Sequence, residues 1–251
     1  MIENERHGEV ALLRMVHGKA NIMDLEFCEA VTAAMVDVGR SDARAVVLTG
    51  QGGIFSAGAD LNRVITEGAP YVARFLPALD AAIESIYALD RPVVAAINGH
   101  AIAGGCILAA AADRRLMVDG RARIGAPELR VGVPFPPVAL EVLRAAVTPP
   151  HANSLLLAGT LCSPEQARDI GLVEELCQAD ALEARALELA ADLASIPGGN
   201  YALTKRMLQA PVWSLIAQQT ANFAAQVNGT WGDGQTLDAV RAYVEKTLKR
   251  G

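Results

Sequence analysis

Two stretches of this chain share one pattern: an apolar run, a glycine-rich turn and the opening of a helix. The first is Val46-Val47-Leu48-Thr49-Gly50-Gln51-Gly52-Gly53-Ile54-Phe55-Ser56-Ala57-Gly58-Ala59-Asp60-Leu61. The second is Val93-Val94-Ala95-Ala96-Ile97-Asn98-Gly99-His100-Ala101-Ile102-Ala103-Gly104-Gly105-Cys106. Apolar runs of this length, bounded by turn residues, read as strands buried on both faces. Small residues after them let backbone N–H groups approach a ligand, and a helix N-terminus adds partial positive charge. Two such loops facing one another would form an oxyanion hole, with two N–H donors aimed at one oxygen. Either loop alone is better explained as a tight turn. Neither contains the Gly-x-Gly-x-x-Gly of a dinucleotide site, and no Gly-Lys-Ser/Thr of a phosphate loop follows.

The rest of the chain fits an α/β protein. Val10 to Met15, Ala45 to Thr49, Val93 to Ile97 and Arg115 to Val118 read as strands. Leu25 to Val38, Tyr71 to Ala88, Gly105 to Ala112 and Val138 to Ala145 read as helices. Ser163-Pro164-Glu165-Gln166 signals a helix start: a capping Ser, Pro at the first helical position and Gln at the third, with Gly171 closing the helix. From Asp180 onward helices alone are expected: Ala181 to Ser195, Asn200 to Gln209, Trp213 to Asn228 and Gly234 to Arg250. Residues 1–195 are therefore taken as the α/β core and 196–251 as a helical region. Its apolar surface, with Trp213, Phe223 and Trp231, is suited to packing on the main body or on another subunit.

Composition excludes several classes. A net charge of −6 argues against nucleic-acid binding, which needs clustered Lys and Arg, but leaves room for a small anionic ligand. The segment Met1 to Glu9 is rich in charge and is no signal peptide. Val93 to Ala112 is apolar enough to suggest a membrane span. Pro92 before it and Asn98, Gly99, His100, Gly104 and Gly105 within it favour strand, turn and buried helix. The four cysteines (Cys28, Cys106, Cys162, Cys177) are scattered, as suits reduced thiols in a cytoplasmic protein, and the histidines show no metal-ligand spacing.

Together, in this order, the two loops resemble the crotonase (enoyl-CoA hydratase/isomerase) superfamily. Phe55-Ser56-Ala57-Gly58-Ala59-Asp60-Leu61 is similar to its Phe-x-Ala-Gly-Ala-Asp-Leu loop, and Ala96-Ile97-Asn98-Gly99 through Gly104-Gly105-Cys106 to its Ala-x-x-Gly … Gly-Gly-Gly-Cys loop. The likeness continues through Gly125-Ala126-Pro127-Glu128, Ser163 to Ala167, Gly171-Leu172-Val173 and Tyr243-Val244-Glu245-Lys246. It implies a ββα spiral with a C-terminal helical trimerisation region, assembling as a homotrimer or hexamer. It also implies an acyl-CoA thioester as substrate, with no separate cofactor or metal and no nucleic-acid or membrane partner. The backbone amides of Ala59 and Gly104 match the oxyanion-hole donors. His17 to Asn21, with Lys19 and Ala20, lies where relatives contact CoA. Ser56, Ala57, Asp60, Leu61, Gly105, Ile107, Pro127 and Tyr243 fall at substrate-binding positions. Lys246 matches a tail lysine that reaches the CoA phosphate of a neighbouring subunit; as an exposed helix lysine it needs no such role.

A proton beside a thioester carbonyl is weakly acidic, so its removal needs an oxyanion hole and a base. Glu128, after Pro127 in an apolar-flanked turn, matches the second catalytic glutamate of the family, and burial would make it a stronger base. Hydratases carry a further glutamate in the helix opened by the glycine pair; here Ile107 stands there. One glutamate can still take a proton from C2 and return it at C4, as in Δ3,Δ2-enoyl-CoA isomerases, whose tail Leu203-Thr204-Lys205 also resembles. No carboxylate lies between Gly132 and Ala139, where dehalogenase relatives place a nucleophile. Asp60, beside a glycine loop, is read as a helix cap. The sequence leaves open a hydratase or another crotonase-family lyase or hydrolase using a different acid or an ordered water, and a non-catalytic acyl-CoA-binding subunit.

Overall fold

A computed structural model describes residues 1–248 of the chain. The chain opens with β1 (Ile2–His7), β2 (Val10–Met15), β3 (Ile22–Met23) and α1 (Leu25–Arg40). There follow β4 (Ala45–Gly50), β5 (Ile54–Ser56), β6 (Gly58–Ala59) and α2 (Leu61–Tyr87), then β7 (Val93–Ile97), β8 (His100–Ile102) and α3 (Gly104–Ala110). Next come β9 (Arg114–Val118), β10 (Ile124–Gly125), α4 (Glu128–Val131), α5 (Pro137–Ala145) and α6 (Pro149–Ala158). The chain ends with β11 (Leu161–Cys162), α7 (Pro164–Asp169), β12 (Glu175–Cys177), α8 (Leu182–Ala194), α9 (Gly198–Gly232) and α10 (Gly234–Leu248).

Three successive segments do the same thing. In β4-β5-α2, β7-β8-α3 and β9-β10-α4, the first strand joins a six-stranded sheet, the second joins a four-stranded sheet, and a helix follows. The large sheet has the order β1-β2-β4-β7-β9-β12 and is parallel except for the antiparallel β1–β2 pair. The small sheet has the order β11-β10-β8-β5, and β3 pairs with β6 alone. This is the ββα spiral expected from the sequence, repeated in structure though not in residue identity.

The continuous apolar runs follow from burial on both sheet faces. In β2, Ala11, Leu13 and Met15 face the central core, while Val10 and Leu12 face the layer under α8. The same alternation divides Val46 and Leu48 from Ala45 and Val47, and Val93, Ala95 and Ile97 from Val94 and Ala96. With both parities buried, a strand shows no polar face to mark its period. Leu182, Ala186, Leu189, Ala190 and Ala194 of α8 cover the outer face.

Several sequence expectations change. The charged N-terminus forms β1, an edge strand exposed over most of its length. α2 begins ten residues before the expected Tyr71, but Gly68 (φ 63°, ψ −150°) interrupts it, and Pro70 sits in the first turn of the second segment, where its missing N–H costs nothing. The two tail helices expected around Gln209 and Trp213 are one helix, α9, which carries Pro211 inside it. The helix expected to reach Arg250 is seen to Leu248, and its last two residues lie outside the described ones. The capping box at Ser163 and Gln166 is present, with Gly171 in the left-handed region just beyond α7. Val93 to Ala112 is β7, β8 and α3, and no described helix is long and apolar enough to cross a membrane.

Candidate active site

The two glycine loops meet. Asn98 joins their starts: its Oδ1 accepts from Gly50 N at 2.9 Å and its Nδ2 donates to Gly52 O at 2.7 Å. Further on, a β-carbon on Gly105 would lie 2.4 Å from Ser56 O, so only glycine lets α3 close on β5. Gly58, at φ +85°, lies against Ala103 and Gly104, with 3.3 Å between its would-be β-carbon and Gly104 N. Asp60 N donates to Met23 O at 2.9 Å, so along the extended strand the preceding N–H, that of Ala59, faces away from β3. Gly104 opens α3, and its N–H has no acceptor within the helix, since the first intrahelical bond runs from Ile107 N to Ala103 O. Two donors from separate loops thus border one space.

Ala103, between β8 and α3, holds φ 52° with ψ −125°, a region that residues with a β-carbon rarely adopt. Such backbone costs on the order of 1–3 kcal/mol and persists where surrounding structure enforces it. Here the enforcement is visible: Ala103 N donates to Gly125 O at 2.8 Å, and Ala101 N to Arg123 O at 2.9 Å. That ladder also delivers Glu128, three residues after Gly125, to the same space.

The space is a cavity of about 630 Å3, counted out to its mouth. Ala57, Ala59, Leu61, Gly104, Ile107, Pro127, Glu128 and Tyr243, all named from the sequence, line it. So do Leu79, Ile102, Ala103, Val131, Val133, Pro136 and Trp231, which sequence reasoning did not assign to a site. Glu128 is 6% exposed and its Oε2 has no hydrogen-bond partner. Burial pushes its carboxyl up to about 8, so near neutral pH it holds its proton more readily than an ordinary glutamate and, once ionised, is a stronger base. It is the one carboxyl on the cavity wall among the described residues. Ile107, 2% exposed, presents an apolar side chain to the same cavity.

The remaining sequence-named residues stand behind or beside the wall. Ser56 is fully buried, its Oγ donating to Asn21 O at 2.7 Å and accepting from Gly58 N at 3.3 Å. Asp60 caps α2 by accepting from the N–H groups of Asn62 and Arg63, as its sequence position suggested. The stretch from His17 to Asn21 abuts the first loop, with Ala57 N donating to Ala20 O at 3.0 Å. Within it Asn21, at φ 45°, donates from Nδ2 to Phe55 O at 3.0 Å and accepts at Oδ1 from His17 N at 2.8 Å. His17 in turn pairs with Asp24 at 2.8 Å and stacks on Phe27. Lys19 is exposed and Lys246 lies in the last turn of α10; neither is on the cavity wall.

The sequence profile of the enoyl-CoA hydratase/isomerase family matches residues 5–249. The chain belongs to that family. Among its relatives is a putative enoyl-CoA hydratase of Thermus thermophilus, 35% identical over 232 residues, covering 91% of this chain and 89% of that one. Mitochondrial enoyl-CoA delta isomerase 1 of Rattus norvegicus is 29% identical over 226 residues, covering 88% and 78% respectively. The crystal structure of human mitochondrial delta3-delta2-enoyl-CoA isomerase superposes with a TM-score of 0.93 at 25% identity, covering 99% of this chain and 98% of that one. The crotonase fold with its C-terminal helical region is therefore shown, and family members named for hydration and for isomerisation both stand near this chain.

Within this enoyl-CoA hydratase/isomerase fold, the features that escaped sequence reading have identifiable reasons. Alanine gives no sign of a positive φ, so the strain at Ala103 was invisible. Trp231 was noted only as an aromatic residue of the tail; its register against the core depends on α9 continuing through Pro211.

Proposed function

We propose that this protein is an enoyl-CoA isomerase, moving a double bond from the 3 to the 2 position of an acyl-CoA thioester with Glu128 as its single proton carrier. The observation that carries the reading is the pairing of one buried, unpartnered carboxyl with an isoleucine at 107 on an otherwise apolar wall. The thioester carbonyl accepts from the N–H groups of Ala59 and Gly104, which hold negative charge as the C2 proton leaves. Each donor of such a hole is worth about 2.7–4 kcal/mol of barrier. Ionised Glu128 takes the C2 proton, the electrons pass through the dienolate, and the same carboxyl returns the proton at C4. Burial favours this shuttle, because the protonated carboxyl is the stable form in the cavity.

The stretch from His17 to Asn21 is placed to meet the CoA moiety, and Asn21 ties it to the oxyanion loop. Tyr243 is the one hydroxyl-bearing side chain on the wall among the described residues, and a hydratase reading would need it, or an ordered water, as the second proton-handling group. An isotope experiment tests the single-carboxylate step. With 3-enoyl-CoA deuterated at C2 and turned over in ordinary water, part of the label is expected at C4 of the product. Product carrying no label at C4 would remove the proposal that one buried carboxyl makes both transfers.

A further inference from the structure

We infer that Trp231 is the closed end of the acyl cavity and restricts this protein to short-chain acyl-CoA thioesters. The inference rests on the acyl-CoA reading of the site and goes beyond it by naming the class of acyl chain. With the thioester carbonyl between Ala59 and Gly104, the acyl chain has an apolar space ahead of it, and Trp231 lies on its wall. The indole is 3% exposed, packs on Phe75 with ring centroids 6.5 Å apart, and donates from Nε1 to Pro134 O at 2.8 Å. A side chain fixed by a ring on one side and a hydrogen bond on the other does not swing aside for a longer ligand.

Behind this wall lies a second hollow. The segment from Val133 to Pro137 has two faces: Val133 and Pro136 line the cavity, while Pro134, Phe135 and Pro137 line the hollow. α9 is divided in the same way, with Trp231 on the cavity and Thr230 and Val227 on the hollow. The indole and its acceptor carbonyl therefore form part of a partition between the cavity and a hollow whose apolar lining is shared with Gln219, Gln226 and Thr230. Removing the indole joins them and gives a long acyl chain somewhere to go.

Binding of saturated acyl-CoA thioesters, measured by calorimetry, tests this without requiring turnover, so it stays readable if the isomerase assignment fails. The wild type is expected to bind butyryl- and hexanoyl-CoA at least about tenfold more tightly than dodecanoyl-CoA, since a chain too long for the cavity keeps the thioester carbonyl from seating between Ala59 and Gly104 and loses both hydrogen bonds. Trp231→Ala is expected to reverse that order, and Trp231→Phe, which keeps a ring but no donor, to preserve it. Should Trp231→Ala fail to fold, Trp231→Leu is expected to shift the preference in the same direction by a smaller factor. The inference is overturned if the wild type binds dodecanoyl-CoA as tightly as hexanoyl-CoA, or if the folded small-residue variant keeps the wild-type ratios. Binding of no thioester at any length would overturn it together with the acyl-CoA reading.

Discussion

At the scale of single residues, Glu128 combines three properties that each follow from its place in the chain. Pro127 and α4 hold its backbone, apolar neighbours exclude water, and no donor satisfies Oε2. Replacing it by Gln keeps the shape and removes the titration. Glu128→Gln is expected to lower kcat by several orders of magnitude while acyl-CoA affinity changes by less than about tenfold, because a general acid–base group acts in the transition state. The pH profile carries the same assignment. On the proposed reading the reaction needs the ionised carboxylate, whose value burial raises to about 8, so kcat/KM of the wild type is expected to rise with pH and level off above that value. A profile flat from pH 6 to 9 would remove Glu128 as the base. The motifs make these residues legible: glycine and alanine around Ala59 and Gly104 mark close backbone approach, and Pro-Glu marks the proposed base. The lack of a partner on Glu128 and the strain at Ala103 depend on tertiary contacts that no local pattern records.

At the scale of elements, α2 shows both what periodicity reveals and what it misses. Its second segment was readable from Tyr71 onward, because Tyr71, Phe75, Leu79, Ile83 and Ile86 recur at helical spacing and are buried. The first segment breaks that pattern, because Gly68 ends it and Pro70 opens the second. On the same helix Asp80 is half-buried with an enclosed, unpartnered Oδ1, and burial plus the neighbouring Glu84 raise its carboxyl to about 7. A carboxyl raised on folding binds its proton more tightly in the native state than in the unfolded chain. Stability is therefore lost as pH climbs from about 4 through 7, by on the order of 2–4 kcal/mol. Asp80→Asn is expected to melt close to the wild type below pH 4 and at higher temperature above pH 7. An equal or lower Tm for the variant at pH 8 would show that the ionised carboxyl is compensated. In the long helix α9, Pro211 removes a backbone donor and so signals a break in the sequence, although a single helix runs through it.

At the scale of the whole molecule, the three ββα turns explain why two loops far apart in sequence share one cavity. Parallel pairing of β4 with β7 and of β5 with β8 stacks successive turns in register, so each loop falls above its predecessor. The tail finishes the cavity by supplying Trp231 and Tyr243. It also leaves apolar side chains in water: Leu203, Met207 and Leu208 on the first half of α9 and Phe223 further along are each about half exposed or more. An apolar surface of this kind is expected to be covered by further copies of the chain. We therefore expect a trimer or a dimer of trimers in solution, with Lys246 of one subunit available to the CoA phosphate of another. Light scattering that finds a stable monomer at micromolar concentration would contradict both.

Isoleucine at position 107 is expected to leave the protein able to move a double bond but poorly able to add water across one. Isomerisation and hydration use the same enolate and the same pair of backbone donors, so only the second proton-handling group separates them. Such a group is typically worth about 10²–10⁴-fold. The decisive measurement is kcat/KM for 3-enoyl-CoA and 2-enoyl-CoA of equal chain length on one preparation, with products identified by mass and by conjugation absorbance. The expected result is isomerisation faster than hydration by a factor of that order. Faster hydration of the 2-enoyl thioester would contradict the account and assign the missing role to another residue or an ordered water.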